Sequence, residues 1–159
     1  MKRSGFTLVE LLVTIGVIIL LASLILTGLN VARARANSLR ARNDINQIVT
    51  AWNAYLSDYR IPPSDMTETG PEFARLMRGG NPQDNPRRLT YMDFHEDSQG
   101  MVDPWGNRYQ YAFAGTDGVA RPPHGNIRAP VAVWSMGPDG SSEMPEDRID
   151  DVYSWRDAD

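Results

Sequence analysis

Gly5-Phe6-Thr7-Leu8-Val9-Glu10, continued without a break by Leu11-Leu12-Val13-Thr14-Ile15-Gly16-Val17-Ile18-Ile19-Leu20-Leu21-Ala22-Ser23-Leu24-Ile25-Leu26, decides the architecture of this chain. Met1-Lys2-Arg3-Ser4 stands before it as a short basic leader. The apolar run carries on to Leu29. At about 1.5 Å per residue, a helix over it spans roughly 28 Å, close to the ~30 Å hydrocarbon core of a bilayer. A carboxylate at the mouth of such a run is expensive, at roughly 2.5–3.5 kcal/mol for an acidic residue at a helix centre. Glu10 is therefore a functional candidate that needs a neutralising partner.

A basic leader, a glycine, a phenylalanine, a glutamate at fixed spacing and an unbroken apolar run together resemble the class III signal of the type IV pilin superfamily, which includes the pseudopilins of type II secretion. The resemblance implies that a prepilin peptidase cuts after Gly5, that the exposed Phe6 is N-methylated, and that Glu10 serves assembly. Cleavage creates an ammonium on Phe6. That cation and Glu10 can cancel each other, most usefully between neighbouring subunits, and removing either partner of a desolvated pair strands the other.

Two alternatives compete for the N-terminus. One is a plain single-pass anchor. The other is a secretory signal peptide, for which Ala32-Arg33-Ala34 and Ala34-Arg35-Ala36 offer A-x-A sites. The apolar run is longer than the usual ~7–15-residue signal core, and arginines crowd both sites. Charge alone leaves the orientation in conflict. Lys2 and Arg3 hold the start in the cytoplasm, while Arg33, Arg35, Arg40 and Arg42 pull the other way under the positive-inside rule. The resemblance resolves this in favour of the leader.

With 159 residues, the chain has room for one domain beyond a membrane segment. The resulting division is a leader over 1–5, a transmembrane and polymerisation helix over 6–29, and a head over 30–159 that includes the second half of the helix. A net charge of −4 argues against a general nucleic-acid coat. The C-terminal segment is acidic, with Asp139, Glu143, Glu146, Asp147, Asp150, Asp151, Asp157 and Asp159 facing only Arg148 and Arg156. There is no cysteine, so an exported head must pin its loops through its core or a metal.

Helical periodicity continues past the apolar run. Ile45, Ile48, Val49, Trp52, Tyr55, Leu56 and Tyr59 recur at three- and four-residue steps, and Ile61-Pro62-Pro63 closes the pattern. One helix from about Phe6 to Tyr59 is expected, roughly 80 Å long. Gly16, Gly28 and Asn30 weaken it, serving either close helix packing or local melting during assembly. A short second helix fits Pro71–Arg78, with Pro71 in its first turn and Gly79 past its end. Leu89, Tyr91, Met92 and Phe94 form an extended segment or an anchor. Strands are expected at Arg108–Phe113, Val131–Met136 and Val152–Trp155. The fold class is α+β: a long N-terminal helix against a small antiparallel sheet of about three strands.

Two C-terminal stretches extend the resemblance, specifically toward the major pseudopilin of type II secretion. Asp103-Pro104-Trp105-Gly106-Asn107 matches a turn of that family and reads as structural, since each residue suits a turn and Trp105 supplies buried area. Trp134-Ser135-Met136-Gly137-Pro138-Asp139-Gly140, with Asp150-Asp151-Val152-Tyr153, resembles its calcium loop. This implies ligand roles for Asp139, Asp150, Asp151 and the Met136 carbonyl, with calcium as cofactor. Calcium takes six to eight oxygens, and the absence of cysteine favours such a staple over a solvated acidic tail. The segment Ser141–Ile149 looks longer than the family's, and Asp147 could substitute as a ligand. The loop does not follow the EF-hand pattern.

No catalytic constellation is present. His95 and His124 lie in polar loop contexts without a zinc-type neighbour, and neither a nucleophile elbow nor a phosphate loop appears. The resemblance implies a non-enzymatic subunit of a type II secretion pseudopilus that helps drive protein export. Its expected partners are copies of itself, other pseudopilins, the inner-membrane assembly platform, prepilin peptidase and the membrane, with no specific nucleic acid. It is expected to span the inner membrane once, with its head in the periplasm. The alternatives are a surface type IV pilin and a DNA-uptake pilin, the latter using Arg33, Arg35, Arg40 and Arg42 on phosphates.

Overall fold

The computed structural model describes residues 7–63, 66–95, 97–146 and 150–155, without the side chains of 24–28. The element order is α1 (Leu8–Tyr59), α2 (Pro71–Met77), β1 (Gln110–Phe113), β2 (Val131–Ser135) and β3 (Val152–Tyr153). The chain forms two compact units, Met1–Ala36 and Asn37–Asp159, with the division inside α1.

In the first unit α1 runs unbroken through Gly16, Gly28 and Asn30. Its large apolar side chains from Leu8 to Leu21 are exposed all around the helix, with Ile15, at 49%, the least so. Among the described residues no helix is long and apolar enough to cross a membrane. Phe6 and the side chains of 24–28, which belong to the expected 6–29 span, lie outside the described residues.

In the second unit the expected stripe of α1 is the centre of the core. Ile45, Ile48, Trp52 and Tyr55 are buried, joined by Ala41 and Ala51, while Val49, Leu56 and Tyr59 pack at the margin. Trp52 is fully buried, its ring 4.8–5.6 Å from those of Tyr55, Phe73, Tyr111 and Phe113. Such edge-on and tilted pairs are favoured by the aromatic quadrupole. α1 ends where expected, with Arg60 at φ 58° ahead of the two prolines. α2 buries Phe73, Leu76 and Met77 and stops at Gly79, whose φ of 81° suits a residue without Cβ.

The sheet is antiparallel in the order β1-β2-β3. Gln110 lies opposite Trp134 and Phe113 opposite Val131, while Ser135 pairs with Val152. Each strand is shorter than expected. The Tyr109 backbone is taken by Thr69 instead of joining β1: the Thr69 N–H donates to its carbonyl at 2.9 Å, and its own N–H donates to the Thr69 side-chain oxygen, Oγ1, at 3.0 Å. Gly137, at φ 65°, turns the chain off β2 immediately after Met136. Beyond β3, Ser154 N–H still donates to the Val133 carbonyl at 2.9 Å.

The middle of the chain is held by a buried polar hub. Asn85 donates to the Leu76 and Leu89 carbonyls at 3.1 and 2.7 Å and accepts from the Tyr59 hydroxyl at 2.8 Å. Tyr91, Met92 and Phe94 are an anchor and not a strand, since they pack on the core and Tyr91 N–H donates to the Met77 carbonyl at 2.7 Å.

Candidate functional site

Two places carry chemistry, one in each unit. At the start of α1, Thr7 and Glu10 form a capping box. The Glu10 N–H donates to Thr7 Oγ1 at 3.2 Å, while the Thr7 N–H and hydroxyl donate to Glu10 Oε2 at 2.9 and 2.7 Å. Reciprocal caps of this type satisfy backbone donors that the first helical turn leaves free. The T-x-x-E spacing of Thr7 and Glu10 is the sequence signature of such a cap. Gly5 and Phe6, the expected processing residues, lie outside the described residues.

At the other end of the chain, Asp139, Asp150 and Asp151 each bring a carboxylate oxygen within 4.8 Å of the others. Asp139 is exposed, Asp150 intermediate and Asp151 buried. Burial raises the Asp150 carboxyl from its ordinary value, and the charges of Asp139 and Asp151 raise it further. Like charges gathered this closely disfavour one another unless a cation lies among them. Met136, the fourth expected contributor, follows β2 directly and leads into Gly137. Asp147 lies outside the described residues.

Asp151 shows most plainly what the cluster suits. Its Oδ2 accepts from Ser142 Oγ and from His124 Nε2, both at 2.6 Å. Its Oδ1 is buried and has no hydrogen-bond partner among the described residues. A buried carboxylate oxygen without a partner is costly, and a cation satisfies it. An all-oxygen donor set of this kind fits a hard divalent ion such as calcium. Asp139, Asp150 and Asp151 would hold it, and the ion would join the chain before β3 to the turn after β2.

The Asp103–Asn107 turn, which the sequence presents as separate, buttresses this loop. Asp103 Oδ1 accepts from the Trp105 and Asn107 N–H groups at 3.0 and 2.8 Å, and its Oδ2 from the Ser135 hydroxyl at 2.6 Å. Asn107 Nδ2 in turn donates to the Gly137 carbonyl at 2.8 Å. Gly137 lies so close to the Asp150 backbone that a Cβ on it would meet the Asp150 carbonyl oxygen at 2.8 Å. A Gly137→Ala chain is therefore expected to lose roughly 1–2 kcal/mol from the left-handed backbone alone. It should also respond less to calcium, because Asp150 must shift. Thermal unfolding with and without calcium checks both effects, and an unchanged response would show that Gly137 does not set the loop.

His124 is the residue that sequence reading missed. Its sequence context is a polar loop, but its side chain is only 8% exposed and lies against Asp151. Nothing adjacent in the sequence signals this, because its neighbours Trp134, Tyr153 and Trp155 come from later in the chain.

Comparison with known proteins bears on both places. The family model described as type II secretion system (T2SS), protein G matches residues 29–155, and the prokaryotic N-terminal methylation motif matches residues 1–26. The chain belongs to the type II secretion system protein G family. Curated members of the protein G family align along nearly its whole length. The type II secretion system core protein G of Pseudomonas aeruginosa is 32% identical over 155 residues, covering 97% of this chain and 96% of its own. That of Vibrio cholerae is 30% identical, covering 97% and 92%. That of Escherichia coli K12 is 28% identical, with the same two coverages. No solved structure matches the chain. The protein G family match takes in the carboxylate cluster and its supporting turn, and the methylation motif takes in Thr7 and Glu10.

Proposed function

We propose that this chain is a structural, non-enzymatic subunit of a type II secretion pseudopilus, made as a precursor and assembled through its N-terminal helix. In this reading prepilin peptidase removes 1–5, residues 6–29 span the inner membrane before assembly, and 30–159 form a periplasmic head. The subunit then polymerises with its own copies and with other pseudopilins on the inner-membrane platform. The observation that carries the reading is the apolar helix from Leu8 to Leu21, exposed all around within the chain and capped through Glu10. Apolar surface of that extent needs lipid or neighbouring helices to cover it. The protein G family and the methylation motif support the same assignment.

We further propose calcium as the cofactor, held by Asp139, Asp150, Asp151 and the Met136 carbonyl. The gathered carboxylates and the unpartnered Asp151 Oδ1 support it.

The mature mass tests the processing step. The chain purified from membranes of a host with active prepilin peptidase should begin at N-methylated Phe6. A start near Ala36 would instead establish a secretory peptide, and an intact Met1 a simple anchor.

A further inference from the structure

We propose that His124, together with Ser142, is a positioning residue that holds Asp151 as a one-oxygen ligand and thereby sets the cation affinity of the site. This rests on the calcium reading above and adds to it the groups that orient the ligand. An ionised carboxylate only accepts hydrogen bonds, so both donors are identified: the His124 Nε2–H and the Ser142 hydroxyl, each 2.6 Å from Asp151 Oδ2. Two short donors occupy that oxygen and leave the buried Oδ1 as the atom that Asp151 can offer. The arrangement matches the outer partners of metal sites, which fix a ligand's rotation and lower the cost of ordering it when the ion arrives.

His124 is itself held by its turn and by three aromatic rings. The Gly125 N–H donates to the Pro122 carbonyl at 3.1 Å, closing the turn that carries it. Its ring lies 5.4 Å from those of Tyr153 and Trp155 and 5.9 Å from that of Trp134. Its Nδ1 is buried without a partner among the described residues. A histidine used only for packing gains nothing from a bare buried nitrogen, so the bond to Asp151 accounts for its presence better than its bulk does. Asp151 directly precedes β3, so the contact also ties the 122–125 turn to the last strand.

The test is calcium titration of the full chain in detergent micelles, read by calorimetry, for wild type, His124→Phe, His124→Gln and Ser142→Ala. Phenylalanine keeps the ring and removes the donor, whereas the glutamine amide restores a donor at similar reach. His124→Phe should bind calcium roughly 10–100-fold more weakly, the usual loss on removing such a partner. His124→Gln should recover most of that loss, and Ser142→Ala should weaken binding in the same direction. Melting in chelator gives the readout of fold, and there His124→Phe should stay close to wild type. A folded His124→Phe chain binding within about threefold of wild type, well short of that loss, overturns the proposal. So does a glutamine variant as weak as the phenylalanine one. If His124→Phe does not fold, Ser142→Ala decides: weaker binding supports the arrangement and unchanged binding overturns it. A wild-type chain that takes up no calcium defeats the calcium reading itself, and this proposal with it.

Discussion

A Glu10→Gln chain is expected to insert in the membrane and fold its head, yet to yield almost no filament. Glutamine can keep the capping box, since its amide oxygen accepts the Thr7 donors that Glu10 Oε2 accepts now. What it removes is the charge. If that charge meets the ammonium of a neighbouring subunit's Phe6, its loss leaves a buried cation unpaired, at about 3–5 kcal/mol per subunit. That is more than ~100-fold in affinity at each addition. Thr7→Val does the reverse: it removes the hydroxyl cap, at about 0.5–2 kcal/mol of helix stability, and leaves the charge in place. Thr7→Val should therefore assemble far better than Glu10→Gln. Filament yield in sheared fractions and electron micrographs compares the two. Equal defects would mean that the cap, not the charge, is what assembly needs, and normal filaments from Glu10→Gln would sink the charge argument.

Removal of calcium should lower the melting temperature of the full chain by roughly 10 °C. A ligand at about 100 times its dissociation constant stabilises a fold by roughly 2.7 kcal/mol, and each kcal/mol moves a domain of this size by several degrees. Asp139 gives the cleanest variant, because it is exposed and lies at the turn where its carboxylate accepts the Ser141 N–H, at 3.0 Å. Asp139→Ala should melt like chelated wild type and ignore added calcium. Magnesium should substitute poorly, since it demands a tight octahedron and keeps its waters. Acidity gives a second check. Asp150 titrates above its ordinary value in the folded chain, so without metal the folded state holds more protons than the unfolded one between those two values. Stability of the chelated protein from this group therefore falls as pH rises through that window. Calcium needs the carboxylates ionised, so its stabilising shift should grow over the same window. Identical melting with calcium and with chelator would leave the acidic segment a solvated loop.

The parts of this fold that follow from local rules were open to reading from residue order. The Ile45–Tyr59 stripe could be read because a helix repeats every 3.6 residues, and α2 because Pro71 and Gly79 mark its two ends. Asp139 on its turn and Asp150 and Asp151 at the entry to the last strand are legible as the ends of one loop, and the structure gathers their carboxylates. What stayed hidden depends on partners distant in the chain. Asn85 sits among residues that read as loop, and only the positions of Tyr59, Leu76 and Leu89 make it a hub. His124 and Asp151 are 27 residues apart, and Asn107 reaches Gly137 across 30. No periodic pattern reports such pairings. β1 came out short for the same reason, because Thr69, 40 residues before Tyr109, takes the hydrogen bonds of the Tyr109 backbone.

The sheet order β1-β2-β3 is also the order of synthesis. A chain emerging from its N-terminus can lay each strand beside the previous one, with no crossover to thread and little loop entropy to overcome. The last to arrive is a strand of only Val152 and Tyr153, delivered together with Asp150 and Asp151. Until then β2, buried along its whole length in the finished fold, presents an open edge. A chain stalled or clipped before residue 150 is therefore sticky as well as incomplete. Its carboxylate cluster cannot form, so finishing the chain, covering the edge and gathering the three aspartates are a single event.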